Sequence, residues 1–133
     1  MARVLVIEDN PTNLKLATFL LQSAGHTVLS AADAEAGLML ARGEQPNLIL
    51  MDIQLPGMDG LEATALLKQD NTTCAIPVIA LTALAMKGDE ERIRAAGCDG
   101  YIAKPLAYRE FLAIVSAQLL TAPLKEKEGV TQA

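Results

Sequence analysis

Residues 48–60 read LILMDIQLPGMDG, an unbroken apolar run that stops at a carboxylate and then turns. Leu48, Ile49, Leu50 and Met51 show no alternation that would leave one face for water, which predicts a strand buried on both faces, as in a parallel sheet. Asp52 stands where that strand stops. Open α/β sheets bind ligands in the crevice outside the carboxyl ends of their strands, so Asp52 is the first candidate functional residue, and the other strand ends are where its partners are sought.

Working outward, Arg3 to Ile7 (RVLVI) predicts a first strand that ends in Glu8-Asp9. Asn10 is placed to cap a helix with Pro11 in its first turn, where a missing N–H costs nothing. Leu14, Ala17, Leu21 and Ala24 fall on one face of that helix, and Gly25 is expected to stop it. Thr27 to Ala31 predicts the second strand, and Asp33 a cap for a helix over Ala34–Arg42 closed by Gly43. After Asp52, Leu55-Pro56-Gly57 reads as a loop, and a helix is predicted over Gly60–Lys68, with Leu61, Ala65 and Leu67 as its apolar positions. Pro77 to Leu81 is expected to be another doubly buried strand, with its proline where a ladder donor is least missed. Thr82 follows. A charged helix over Lys87–Ala96 closed by Gly97, a strand Tyr101–Ala103 ending at Lys104-Pro105, and a helix Tyr108–Leu120 complete the pattern. Phe111, Leu112, Val115 and Leu119 form the inner side of that last helix. Pro123 is expected to break it, dividing the chain into a domain over residues 1–121 and a mobile tail over 122–133. Strands alternating with helices over short connections predict an α/β fold, a doubly wound five-stranded parallel sheet flanked by five helices.

Composition narrows the functional classes. The 133 residues are 51% hydrophobic but only 3% aromatic, so the core is aliphatic. Eleven Lys and Arg against sixteen Asp and Glu leave a net charge of −5, which argues against binding nucleic acid or anionic membranes through bulk charge. No apolar stretch approaches the roughly 20 residues of a membrane span, and Met1-Ala2-Arg3 leads into a strand without a signal-peptide layout. A cytoplasmic location is expected. Cys74 and Cys98 are too few and too distant for a disulfide scaffold or metal knuckle, and both read as buried or half-buried thiols. His26 reads as a surface or strand-edge residue.

The predicted strand ends carry Glu8-Asp9, Asp52, Thr82 and Lys104. Three carboxylates in one crevice repel by about 4 kcal/mol per pair at about 4 Å and an effective dielectric near 20. Lys104 offers one compensating charge and a divalent cation offers two. A small, hard, oxygen-seeking ion that keeps several waters describes Mg²⁺. Such an ion, the Lys104 ammonium and the Thr82 hydroxyl suit the spread charge of a phosphoryl group in transfer, with the Asp52 carboxylate as nucleophile. Each residue alone has a plainer role: Glu8-Asp9 can favour a helix N-terminus, Thr82 can cap a helix, and Lys-Pro is a common surface dipeptide. Their joint placement is what carries the reading.

The pieces VLVIEDNPTN, LILMDIQLPGMDGLE and PVIALTALAMKGDEERIRAAGCDGYIAKP resemble the receiver domains of two-component response regulators, from Arg3 to about Leu120. That resemblance implies the sheet order 2-1-3-4-5. It also implies a phosphoryl group accepted on Asp52 from a histidine kinase or phosphotransfer protein, and Mg²⁺ held by Glu8, Asp9, Asp52 and the backbone carbonyl of Gln54. Thr82 would move towards the aspartyl phosphate, Lys104 would pair with it, and Tyr101 would swing inward as Thr82 moves. A cis Lys104-Pro105 bond is implied as well. Among receivers, the AMKGDEERIRAAGCDGYI block resembles single-domain cell-division regulators of the DivK type, and similar blocks occur in receivers attached to hybrid kinases.

Output is then expected through protein binding, on the face built from the Lys87–Ala96 helix, the Tyr101 strand and the Tyr108–Leu120 helix. Leu84, Ala85, Met86, Ala95, Ala103 and Tyr108 make that face partly apolar, suited to a downstream protein or a second copy, so the chain is expected to be a monomer or weak dimer. Three rivals are weaker. A flavodoxin-like carrier needs a Ser/Thr-rich phosphate loop and flavin-sandwiching aromatics, and the chain has no Trp. An aspartate-nucleophile phosphohydrolase resembles others of its kind in having a second Asp two residues on, where this chain has Gln54, which leaves the leaving group without an acid. The chain is therefore expected to be no turnover enzyme, only a participant in its own phosphotransfer and slow autodephosphorylation. A phosphorylation-independent scaffold would not need the acidic, Thr and Lys positions together.

Overall fold

The computed structural model describes residues 2–83 and 87–132. Its elements run β1 (Arg3–Ile7), α1 (Pro11–Ser23), β2 (Thr27–Ala31), α2 (Ala34–Glu44), β3 (Leu48–Asp52), α3 (Gly60–Gln69), β4 (Val78–Thr82), α4 (Lys87–Ala95), β5 (Gly100–Ala103) and α5 (Tyr108–Gln132). The five strands are parallel, in the order β2-β1-β3-β4-β5. β3 is therefore central, and every residue of it is buried.

Strand alternation divides the core into two layers. Leu5, Ile7, Ile49, Met51, Val78 and Ala80 pack under α2, α3 and α4 through Leu38, Ala41, Ala63, Leu67 and Ile93. Val4, Val6, Leu48, Leu50, Ile79, Leu81 and Ile102 pack against α1 and α5 through Ala17, Leu20, Leu21, Phe111 and Val115. At roughly 25 cal/mol per Å² of apolar surface removed from water, these two layers are the main source of stability.

Helix ends obey local rules, with some departures from expectation. α1 closes at Gly25 (φ 91°), whose N–H donates to the Gln22 carbonyl while His26 N–H donates to that of Leu21, a Schellman cap. Gly97 (φ 106°) and Cys98 close α4 the same way on Arg94 and Ile93. α2 instead runs through Gly43 to Glu44, and the left-handed residue is Gln45 (φ 48°). Pro46 disfavours the helical region for the residue before it, and the Gln45 side chain returns to the carbonyls of Ala41 and Arg42. Leu20, not the exposed Ala24, completes the buried face of α1, because Ala24 is already the cap. The fully buried face of α3 is Gly60, Ala63, Thr64 and Leu67, with Leu61 and Ala65 at its margin.

α5 does not end at Leu120: its backbone stays helical past Pro123 to Gln132. Proline removes one ladder donor there, and the following Leu-Lys-Glu-Lys-Glu run has high helix propensity. Cys98 is buried, whereas Cys74 is exposed in the polar turn after α3. His26 is half-buried just before β2, its Nδ1 accepting the Ala2 N–H. Leu84, Ala85 and Met86 lie outside the described residues.

Candidate functional site at the carboxyl ends of the strands

β1 and β3 are neighbours and run parallel, so the acids that follow β1 and the Asp that ends β3 meet at one edge of the sheet. One carboxylate oxygen each from Glu8, Asp9 and Asp52 gathers within 4.8 Å of the others. Glu8 and Asp52 are buried, and Asp9 faces solvent. Thr82 ends β4 one residue beyond the rung that pairs Asp52 with Leu81, and it is buried. Lys104 follows β5. Its backbone N–H donates to the Thr82 carbonyl at 2.7 Å, which fixes the start of its side chain beside the same crevice. The Lys104-Pro105 peptide is cis.

The Lys104 ammonium lies 2.9 Å from Glu8 Oε1 and 3.3 Å from Asp52 Oδ1. Asp52 Oδ1 also accepts the Gln54 N–H at 3.0 Å, and Glu8 Oε2 accepts the Asn10 N–H at 3.2 Å. Burial, and then the hydrogen bond with Asp52, pushes the Glu8 carboxyl up to about 7. Burial pushes Asp52 up as well, but the Glu8 hydrogen bond, the Gln54 N–H and the Lys104 charge outweigh it and hold Asp52 below the usual range. Lys104 is raised, since its two carboxylate partners outweigh its own burial. Of these two interacting carboxyls, Glu8 is the one pushed towards keeping its proton. Asp52 is pushed towards the ionised form that a nucleophile requires.

The donor set fits a hard divalent cation. Three carboxylates offer oxygen ligands, one of them open to water, and Glu8 Oε1 is buried without an aligned hydrogen-bond donor although Lys104 is within ion-pair distance. Gln54 enters through its backbone, next to the phosphoacceptor candidate.

Glu8, Asp9, Asp52 and Lys104 thus converge as expected, with Thr82 on the adjoining strand end. Tyr101 lies deeper. It pairs with Ala80, two residues before Thr82, and packs half-buried against the α2–α4 layer. Alternate rungs point to one face, so Tyr101 sits diagonally below Thr82. Sequence reasoning missed the hold of Asn10 on Glu8, and it read Gly60 only as the start of a helix; the PGMDG turn was the available signal for the latter.

Comparison with known proteins agrees with this geometry. The family profile of the response regulator receiver domain matches residues 4–116. The chain is 47% identical over 116 residues to the polar-differentiation response regulator DivK of Brucella anthropi, covering 87% of this chain and 94% of that one. The receiver domain of sensor histidine kinase PA1611 from Pseudomonas aeruginosa PAO1, solved with a magnesium ion coordinated in its active-site cleft, superimposes with a TM-score of 0.83. It is 35% identical, over 89% of this chain and 97% of that one. The chemotaxis protein CheY4 of Vibrio cholerae gives a TM-score of 0.84 at 26% identity, covering 88% and 98%. With an acidic cluster, a Thr and a Lys at the strand ends of a 2-1-3-4-5 sheet, the chain belongs to the response regulator receiver family.

Proposed function

We propose that this receiver, residues 1–121, accepts a phosphoryl group on Asp52 from a histidine kinase or phosphotransfer protein. The observation that carries the reading is the buried Asp52 carboxylate at the end of β3, paired with Lys104 and clustered with Glu8 and Asp9. An Asp52 oxygen attacks phosphorus, the bond from phosphorus to the donor nitrogen breaks, and the electron pair leaves with the donor imidazole. Lys104, already 3.3 Å from Oδ1, follows the charge that develops on the phosphoryl oxygens. Asp9, Asp52, the Gln54 carbonyl and Glu8 would hold Mg²⁺, which supplies charge neutralisation for the transferring group.

Gln54 has an exposed amide where a phosphohydrolase needs an acid, which supports a switch that loses its phosphate slowly. Phosphorylation adds charge and acceptor oxygens at the strand ends, favouring the packing in which Thr82 is drawn in and Tyr101 follows. The readout is the α4–β5–α5 face, where Ala95, Ala103 and Tyr108 are exposed, and the partner is a downstream protein. Identity to DivK supports a role in cell-division control.

The test is the intact mass after incubation with Mg²⁺ and acetyl phosphate. A gain of one phosphoryl group is expected, absent with chelator and absent in Asp52→Asn. Labelling that survives Asp52→Asn overturns the assignment.

A further inference from the structure

Gly60 opens α3 and is buried against the peptide that follows the phosphoacceptor candidate. A Cβ at this position would overlap the Asp52 carbonyl oxygen and stand 2.7 Å from Ile53 Cα. Positive φ explains Gly25, Gly57 and Gly97, but Gly60 is not among the residues with positive φ. Glycine is a poor helix residue, so its presence here answers a need for space and not for backbone freedom. Two hydrogen bonds seat it. Its N–H donates to the Ile53 carbonyl at 3.2 Å, and its own carbonyl accepts the hydroxyl of the fully buried Thr64 at 2.8 Å.

The Ile53–Gly60 bond closes the loop of residues 54–59. Gln54, the first residue of that loop, orients Asp52 through its N–H, and its carbonyl is the fourth oxygen that the receiver reading assigns to the metal. We infer that Gly60 is a positioning residue: by letting α3 close directly onto the Asp52–Ile53 peptide, it sets where the Gln54 backbone stands relative to the Asp52 carboxylate. Any side chain at 60 lifts the helix start away from β3 and carries the loop with it. This inference rests on the receiver reading, since it concerns the metal and phosphoacceptor geometry of that site.

The experiment is Mg²⁺ titration by calorimetry of the wild-type chain, Gly60→Ala and Gly43→Ala, each below its melting temperature. Gly43 is also helical but has open space around it, so it controls for the general effect of Gly→Ala in a helix. Gly60→Ala should weaken Mg²⁺ binding by about ten- to hundredfold, the usual loss when a group supporting metal ligands is disturbed. Gly43→Ala should leave it unchanged. A folded Gly60→Ala chain with wild-type affinity overturns the inference. If that variant does not fold, amide resonances of the wild-type chain decide. Saturating Mg²⁺ should shift the Gly60 and Gln54 N–H signals together, and a Gly60 signal that stays put overturns the inference. A wild-type chain that binds no Mg²⁺ overturns the reading of the acidic cluster and this inference with it, whereas wild-type binding with unaltered variants overturns this inference alone.

Discussion

Lys104 Nζ stands 2.9 Å from Glu8 Oε1, closer than it stands to Asp52. The cation expected to serve the phosphoryl group is thus anchored by the buried acid after β1, with two strands, β3 and β4, between it and β5. Glu8 and Lys104 form one unit across the crevice, and both sides of it can be tested.

Lys104→Ala removes the cation shared by two buried carboxylates. Phosphoryl uptake from acetyl phosphate should slow by about a hundredfold, the usual loss for one preorganised donor to a developing oxyanion. Time-resolved intact mass measures it, and wild-type rates in a folded variant would rule out the role given to Lys104.

The Glu8 carboxyl moves from an ordinary 4.5 to about 7 on folding. Between those values native Glu8 keeps a proton that the unfolded chain has lost, so the Glu8 contribution to stability without metal falls as pH rises through this window. The advantage is complete below the lower value and gone above the upper one. Asp52, with its lowered carboxyl, acts in the opposite sense but only in more acidic solution. His26, held below its usual 6.5 by burial, acts in the opposite sense in part of the same window, so the Glu8 effect is read against Glu8→Gln. In chelator, the wild-type melting temperature should drop by a few degrees relative to that variant between about pH 5 and pH 8. Excess Mg²⁺ should reverse the trend, because binding needs the ionised carboxylates. Circular-dichroism melts of both chains check this, and a difference between wild type and Glu8→Gln that does not change with pH contradicts it.

Tyr101→Ala separates chemistry from output. The ring lies two rungs below Thr82 and packs against the α2–α4 layer, so labelling of Asp52 should keep its wild-type rate and extent. Losing a half-buried ring should cost about 2 kcal/mol of stability. Phosphorylation-dependent shifts of the Ala95 and Ala103 amides, on the exposed face of α4 and β5, should disappear. Shifts that persist in the variant would remove Tyr101 from the coupling.

What could be read without coordinates was governed by short-range physics. The doubly buried runs around Leu50 and Ile79, the carboxylate that ends β3, and the glycine stops at Gly25 and Gly97 each depend on neighbours within a few residues. Gln45 was not legible, because its left-handed turn is imposed by the proline after it and satisfied by its own amide. The Pro123 expectation failed because one lost donor does not end a helix among strong helix formers. The Glu8–Lys104 contact was hidden for another reason. It depends on how far two long side chains reach across β3 and β4, a matter of rotamers and sheet twist that no spacing along the chain encodes.

The two helical glycines of α2 make the sharpest stability test, since the same substitution should have opposite signs six residues apart. A Cβ on Gly37 would collide with the side chain of Ile7, which is fully buried at the end of β1 just before Glu8. Gly37→Ala must push α2 off the sheet or force Ile7 from its rotamer, costing about 1–3 kcal/mol as overpacking does. Gly43 has nothing within 4 Å of the same position, and it stays helical. There Gly43→Ala gains helix propensity and should stabilise by up to about 1 kcal/mol. Urea denaturation of both variants at constant m-value reads the difference. A destabilised Gly43→Ala would mean that Gly43 has a role outside the helix, and a neutral Gly37→Ala would mean that Ile7 has room to yield. In that second case the end of β1 that carries Glu8 is softer than its complete burial implies, and Mg²⁺ affinity in the Gly37→Ala chain should fall along with it.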